Sequence, residues 1–251
     1  THDIYEEWAL EKMISSEFLN KKKYTEFFTA IGETLPMRRS FMKWITSEID
    51  SEISLGNFID DALFDEGIPQ FWKDEIVVSI LLSNSSDSIF YSMDRLLRKN
   101  DFSLFRRVLF LIRIACKEID FKTLEGFKEK SNSISAQYFF TIPQGNGWKS
   151  VINFIDKYQQ NFNQDDLKII LPVLKDWTSK NKRGIATKQC ANFALRNYQE
   201  LFLSTKSTYK FLVVKADLVQ IILDGSIEIK KEISRILGEV LKNKWRRPVD
   251  P

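Results

Sequence analysis

Turn-forming residues are scarce in this chain: nine Gly and six Pro serve 251 residues. An all-β chain needs turn signals roughly every 8–12 residues, and that supply is missing. Helices need fewer breaks, so the composition already directs the chain to an all-α fold. Twenty Phe and six Trp provide the bulky apolar area for a core. With 43% hydrophobic and 28% charged residues, the chain falls outside the range of disordered proteins.

Apolar spacing supports the same fold class. Ile4 and Trp8 are four apart, as are Leu10, Ile14 and Phe18, which predicts a helix over Asp3–Leu19. Asp3 is its expected cap, with Glu6 completing a capping box. Pro36 is placed to open a helix over Met37–Ile53. Further helices are predicted over Gln70–Leu82, Ser88–Lys99 and Phe102–Ile119, the last capped by Asp101. That last segment is apolar nearly all round, which predicts a central position. In the second half the expected helices are Trp148–Gln160, Gln164–Ser179, Ile185–Leu203 and Ile227–Lys242. Pro172 is expected to kink or split its helix. Residues 209–223 stay open between helix and strand, because β-branched residues crowd a segment of helical length. No fixed repeat period is found, so the expected architecture is irregular helical hairpins, a HEAT-like α-solenoid. At most a short strand is expected near 138–142.

Charge divides the chain. Residues 1–144 hold 18 Lys+Arg against 23 Asp+Glu, and residues 145–251 hold 19 against 11. The sign changes beside the polar stretch 121–146, which reads as a loop or linker. It separates a helical hairpin region, 32–120, from a HEAT-like helical region, 147–251. The basic half suits an acidic partner or nucleic acid. No apolar run reaches the ~18 residues of a membrane span; the longest, Val108–Cys116, is interrupted by Arg113. No secretory leader opens the sequence, and Cys116 and Cys190 lie in apolar helical stretches, so a cytoplasmic location is expected. The first residue is Thr, so a fragment of a longer protein is expected.

Catalytic motifs are sparse. A single His excludes a His-rich metal set and leaves triad chemistry dependent on His2 alone. Gly145–Ser150, GNGWKS, resembles a phosphate loop, but Trp148 occupies the position where a Gly must precede the Lys. The carboxylates Asp60, Asp61, Asp65 and Glu66 lack calcium-loop spacing and read as a solvated helix end. Two basic pairs, Arg38-Arg39 and Arg106-Arg107, lie in first helical turns beside apolar residues. With Lys182 and Arg183 they are the candidate interaction residues, to be weighed against plain surface charge and internal ion pairing. No cofactor or metal is expected to be held by these residues, and no complete catalytic set is present.

The opening THDIYEEWALEKMI, with His2-Asp3 followed by Trp8-Ala9, resembles the end of the winged-helix domain in STAND-type NTPases of the NACHT and NB-ARC group. The segments Gly32–Ile45 and Phe102–Asp120 resemble helical regions after the NTPase module in large bacterial members, some of them antiphage-defence proteins. The resemblance implies that residues 1–31 end a winged helix and that His2 contacts an ADP phosphate in the full-length parent. It also implies ATP or ADP with magnesium in that parent. The expected function is then a non-catalytic arm that couples nucleotide state to sensing and oligomerisation. Its partners would be other domains of the same chain, a protein ligand or further copies. The alternative is a stand-alone HEAT-like nucleic-acid-binding or base-repair protein.

Overall fold

The computed structural model describes residues 2–51, 55, 57–121, 141–203 and 210–236. The chain is all-α, with one two-stranded antiparallel ribbon among the described residues. It divides into two compact units, Thr1–Val151 and Ile152–Pro251.

In the first unit, α1 (His2–Asn20), α3 (Leu35–Asp50), α5 (Gln70–Leu82) and α8 (Lys99–Ala115) are successive neighbours. The shorter α2 (Tyr24–Ile31) packs on α1, and α4 (Phe58–Phe64) packs on α5. Aromatic side chains join these helices. The Phe18 ring meets Trp44 and Phe58 at centroid separations of 5.1 Å each. Phe41 meets Trp72 edge-on at 4.9 Å, and Phe28 meets Trp72 at 5.2 Å. Such pairs contribute about 0.5–1.5 kcal/mol each beyond the area they bury.

Local chemistry sets the helix ends. Pro36 lies in the first turn of α3, where its missing N–H goes unused. Asp50, at the end of α3, accepts from Asn84 N at 2.8 Å and Ser85 N at 3.3 Å, tying the loop before α6 (Ser86–Ser92) to α3. Asp3 does not cap α1; the helix already includes His2, which places Asp3 inside it.

The segment expected as one helix over Ser88–Lys99 is two, α6 and α7 (Asp94–Leu97). Asp101 does not cap α8 either. Asn100, Asp101 and Phe102 have φ of 50°, 53° and 59°, a left-handed turn inside α8. Each such residue costs roughly 1–2 kcal/mol relative to right-handed helix, less for Asn and Asp than for Phe. Burial of Phe102, worth about 1.5–3 kcal/mol, is part of what holds it. The helix is not central on every side, because apolar Phe110 and Ile114 face solvent. It ends at Ala115. Residues 117–119 leave it as β1 (Lys117–Ile119), paired antiparallel with β2 (Thr141–Pro143). The part of the expected strand before 141 lies outside the described residues.

Beyond β2 the chain turns through Gly145 into α9 (Gly147–Lys157), and the division between the two units falls inside that helix. The second unit contains α10 (Gln164–Lys180), α11 (Ile185–Leu203) and α12 (Lys210–Asp224), with α12 against both others. Asn163 and Asp166 form a reciprocal capping box at the start of α10. Pro172 does not split α10. Ile170, Leu171, Val173 and Leu174 around it are fully buried, and their burial outweighs the roughly 3 kcal/mol a mid-helix Pro costs. The ambiguous 209–223 segment is helical from Lys210. Val214, Leu218 and Ile221 fall on one buried face at helical spacing, which overrides their strand propensity. Turns at 225–229 lead into a helix at 230–236.

Gly147 is a close-approach glycine. A Cβ there would lie 2.6 Å from the backbone and side chain of Leu81. Gly147→Ala is therefore expected to cost about 1–3 kcal/mol. Gly32→Ala has open space around it, but φ of 71° with ψ of −177° is a conformation essentially reserved for glycine, so it is expected to cost about 1–3 kcal/mol through backbone strain alone. Urea denaturation of the two variants measures both losses.

Candidate functional site

The six candidate interaction residues are divided between the two units, four in the first and two in the second. Arg38, on α3, donates through Nε to Glu75 Oε1 at 2.8 Å and lies over the Phe71 ring at 5.1 Å. Arg107, on α8, donates through Nε to Asp74 Oδ1 at 2.8 Å and through Nη2 to Asp74 Oδ2. Its guanidinium stacks 4.9 Å over Phe110, and the hydrogen bond to Asp74 raises its pKa above the usual value. Helix α5 is thus pinned on two sides through the adjacent residues Asp74 and Glu75. Arg106 reaches back to Asp101 at 2.9 Å. These three arginines make the internal ion pairs weighed against an interaction role, while Arg39 is exposed.

In the second unit, Lys175 contacts Asp217 at 2.6 Å and Lys182 pairs with Asp224. Each member lies seven residues from its counterpart on the same side, so the two pairs form successive rungs. Asp224 also accepts from Gln220 at 3.1 Å. Lys182 is therefore engaged internally, Arg183 is exposed, and Arg196 donates to Gln159 at 2.6 Å. The acidic partners were the missed part. Asp217 and Asp224 repeat the seven-residue spacing of Lys175 and Lys182, a signal legible once 209–223 is assigned to a helix.

His2 is the first residue of α1, and the surroundings of its side chain lie outside the described residues. The Gly145–Ser150 turn is a packing device. Trp148 is fully buried, and its Nε1 donates to Cys116 O at 2.8 Å. Gln144 N donates to the same carbonyl at 2.9 Å. Ser150 Oγ is buried and bonded to Ser86 and Asp87, while Lys149 is exposed. The glycines permit contact with the end of α5, as argued for Gly147.

Charge does converge at a cleft of about 600 Å³ between the start of α2, helix α4 and the α7–α8 junction. Lys22, Lys23 and Lys99 line it together with Asp60, Asp61 and Asp65. An adjoining hollow of about 690 Å³ shares Asp60, Leu96 and Lys99 and adds Arg95 and Arg98. Desolvation raises the pKa of Asp60, with the charge of Asp61 adding to it. Tyr24 is raised for the same two reasons in the same order. Asp65 Oδ1 accepts from Gly67 N at 2.8 Å, so it also shapes the turn after α4. Among the described residues, no group of three or more His, Cys, Asp or Glu is placed to hold a metal. The lining brings three carboxylates and three ammonium groups into one cleft, an arrangement suited to recognising a charged group by pairing.

Both cysteines are buried. Burial pushes the Cys116 thiol up to about 12 and raises Cys190 as well. Neither is expected to react with a disulfide reagent at pH 8 in the native state, since the thiolate is the nucleophile, and both are expected to react once urea unfolds the chain. Thiol titration against denaturant checks this. Arg107→Ala is expected to cost about 1 kcal/mol, since its side chain is 39% exposed and its carboxylate partner only 19%. Its double-mutant cycle with Asp74→Asn is expected to show coupling that weakens in high salt, and the cycle with Glu75→Gln none. No protein-family model matches the chain, and no curated protein matches it.

Proposed function

We propose that the chain is a non-catalytic helical arm of a STAND-type NTPase, coupling the parent's nucleotide state to sensing and oligomerisation through protein–protein contacts. Helix α1 is the observation that carries the reading. One side of it is locked into the first unit: Ile14 is fully buried, Phe18 stacks among α2, α3 and α4, and Glu7 pairs with Lys43 of α3. Its opposite side presents Tyr5, Trp8 and Leu19 at 75%, 60% and 83% exposure. At 100° per residue these three fall on one stripe. A rigidly mounted helix with an aromatic outer stripe suits contact with a neighbouring domain. It lies in the segment whose sequence resembles the end of a winged helix, so the proposed occupant is the nucleotide-binding module of the same polypeptide. Cytoplasmic location, ATP or ADP with magnesium in the parent and a role in antiphage defence belong to this proposal.

No specific observation favours the nucleic-acid reading. Lys182 and Arg196, two of the basic residues on which it would draw, are engaged by Asp224 and Gln159.

The test is hydrogen exchange on the full-length gene product with ADP–magnesium and ATP–magnesium. Amides of residues 4–12 are expected to change protection with nucleotide. Trp8→Glu is expected to remove that change while leaving the thermal midpoint of the isolated chain within about 1 °C, as befits an exposed side chain. A gene with no P-loop upstream of residue 1 would overturn the reading, as would protection of α1 that is independent of nucleotide.

A further inference from the structure

Helices α6, α7 and α8 follow one another with single-residue breaks at Met93 and Arg98. Three residues, Asn100–Phe102, are wound left-handed against the helical path on either side. Asn and Asp tolerate that conformation because their short side chains bond locally; Phe does not. The hydrogen bond that closes the turn, Phe102 N to Arg98 O, is stretched to 3.5 Å. Local backbone energy therefore favours the right-handed alternative, and tertiary contacts maintain the observed turn.

Those contacts are of two kinds. Phe102 is buried, with its ring 6.5 Å from that of Phe105, and Leu97 before the turn is buried too. The rest lie near the surface. Asp101, whose side chain is 75% exposed, holds Arg106, and the Lys99 ammonium sits 4.8 Å over the Phe64 ring. Lys99, Leu96 and Asp60 line both hollows of the charged cleft. The residues immediately before the strained turn thus form part of a charged concavity, and the turn's surface fasteners include a side chain that a cleft occupant would meet.

We propose that residues 98–102 are a two-state hinge. In one state the turn is left-handed, as observed. In the other it rewinds to right-handed helix, so that α7 and α8 become one rod and Lys99 leaves Phe64 and Asp60. A charged group bound in the cleft that competes for Lys99 would bias the rewinding, because it binds the two states unequally. The inference stands on backbone geometry and does not depend on the NTPase reading.

Spin-label distance measurement between Arg95→Cys on α7 and Ile114→Cys on α8, in the full chain, tests it. Both sites are exposed, while Cys116 and Cys190 are buried from the label. A straight helix over those 19 steps spans about 29 Å; the turn makes the separation shorter. Asn100→Gly with Asp101→Gly removes the left-handed penalty and is expected to leave only the short distance. Asn100→Ala with Asp101→Ala favours right-handed helix and is expected to enrich the long component about tenfold over the parent chain. Identical distributions in all three proteins would overturn the hinge, as would a long component in the glycine variant. Should the alanine variant not fold, the parent and glycine proteins decide: a long component seen in the parent and lost with glycine supports the hinge, and its absence from the parent overturns it.

Discussion

The first unit depends on a cluster of aromatic rings contributed by consecutive helices. Phe18 of α1, Phe27 and Phe28 of α2, Phe41 and Trp44 of α3, Phe58 of α4 and Trp72 of α5 form one connected set of ring contacts. Rings of this size bury roughly 150–250 Å² each, so a few of them supply what many aliphatic contacts supply elsewhere. Short helices such as α2 and α4 would not persist alone in water. Their hold on this cluster keeps them folded, and keeps Lys22, Lys23 and the Asp60–Asp61 pair in the lining of one cleft.

Electrostatics refine that arrangement. The adjacent carboxylates of Asp74 and Glu75 take guanidiniums from α8 and α3, which selects how α5 is rotated between its neighbours. Each pair is partly exposed and worth about 1 kcal/mol, far less than the rings contribute, so its main effect is specificity of register. The Lys175–Asp217 and Lys182–Asp224 rungs have the same effect between α10 and α12. Lys168, Lys175 and Lys182 thus meet carboxylates inside their own unit. The excess of Lys and Arg over Asp and Glu in 145–251 stands whatever pairs form; pairing decides only which of the cations are engaged.

Helix content was legible because apolar period and turn scarcity act locally, along consecutive residues. Val214, Leu218 and Ile221 show the limit of that legibility: β-branching argued for a strand, and only the buried face shared with α10 and α11 decided for a helix. The end of α8 was misplaced for a related reason. Lys117–Ile119 pairs with residues more than twenty positions later, and no local pattern announces a partner at that distance. The capping box Asn163–Asp166 was readable in the sequence and was missed; it is the N-x-x-D form of the signal. The charged cleft was half visible. Asp60, Asp61 and Asp65 stand out as a run, whereas Lys22, Lys23 and Lys99 come from positions about forty residues to either side.

The sequence by itself determined the class: helices throughout, cysteines in apolar helical stretches, and Trp148 where a phosphate loop would need Gly. These follow from composition and spacing, which the folded state cannot alter. The tertiary structure alone decided which arginines are engaged, where α8 ends, and that Asn100–Phe102 winds left-handed against its own propensity. Each depends on side chains far apart in the chain meeting at short range. A left-handed Phe in particular is stable only when burial elsewhere outweighs its backbone cost.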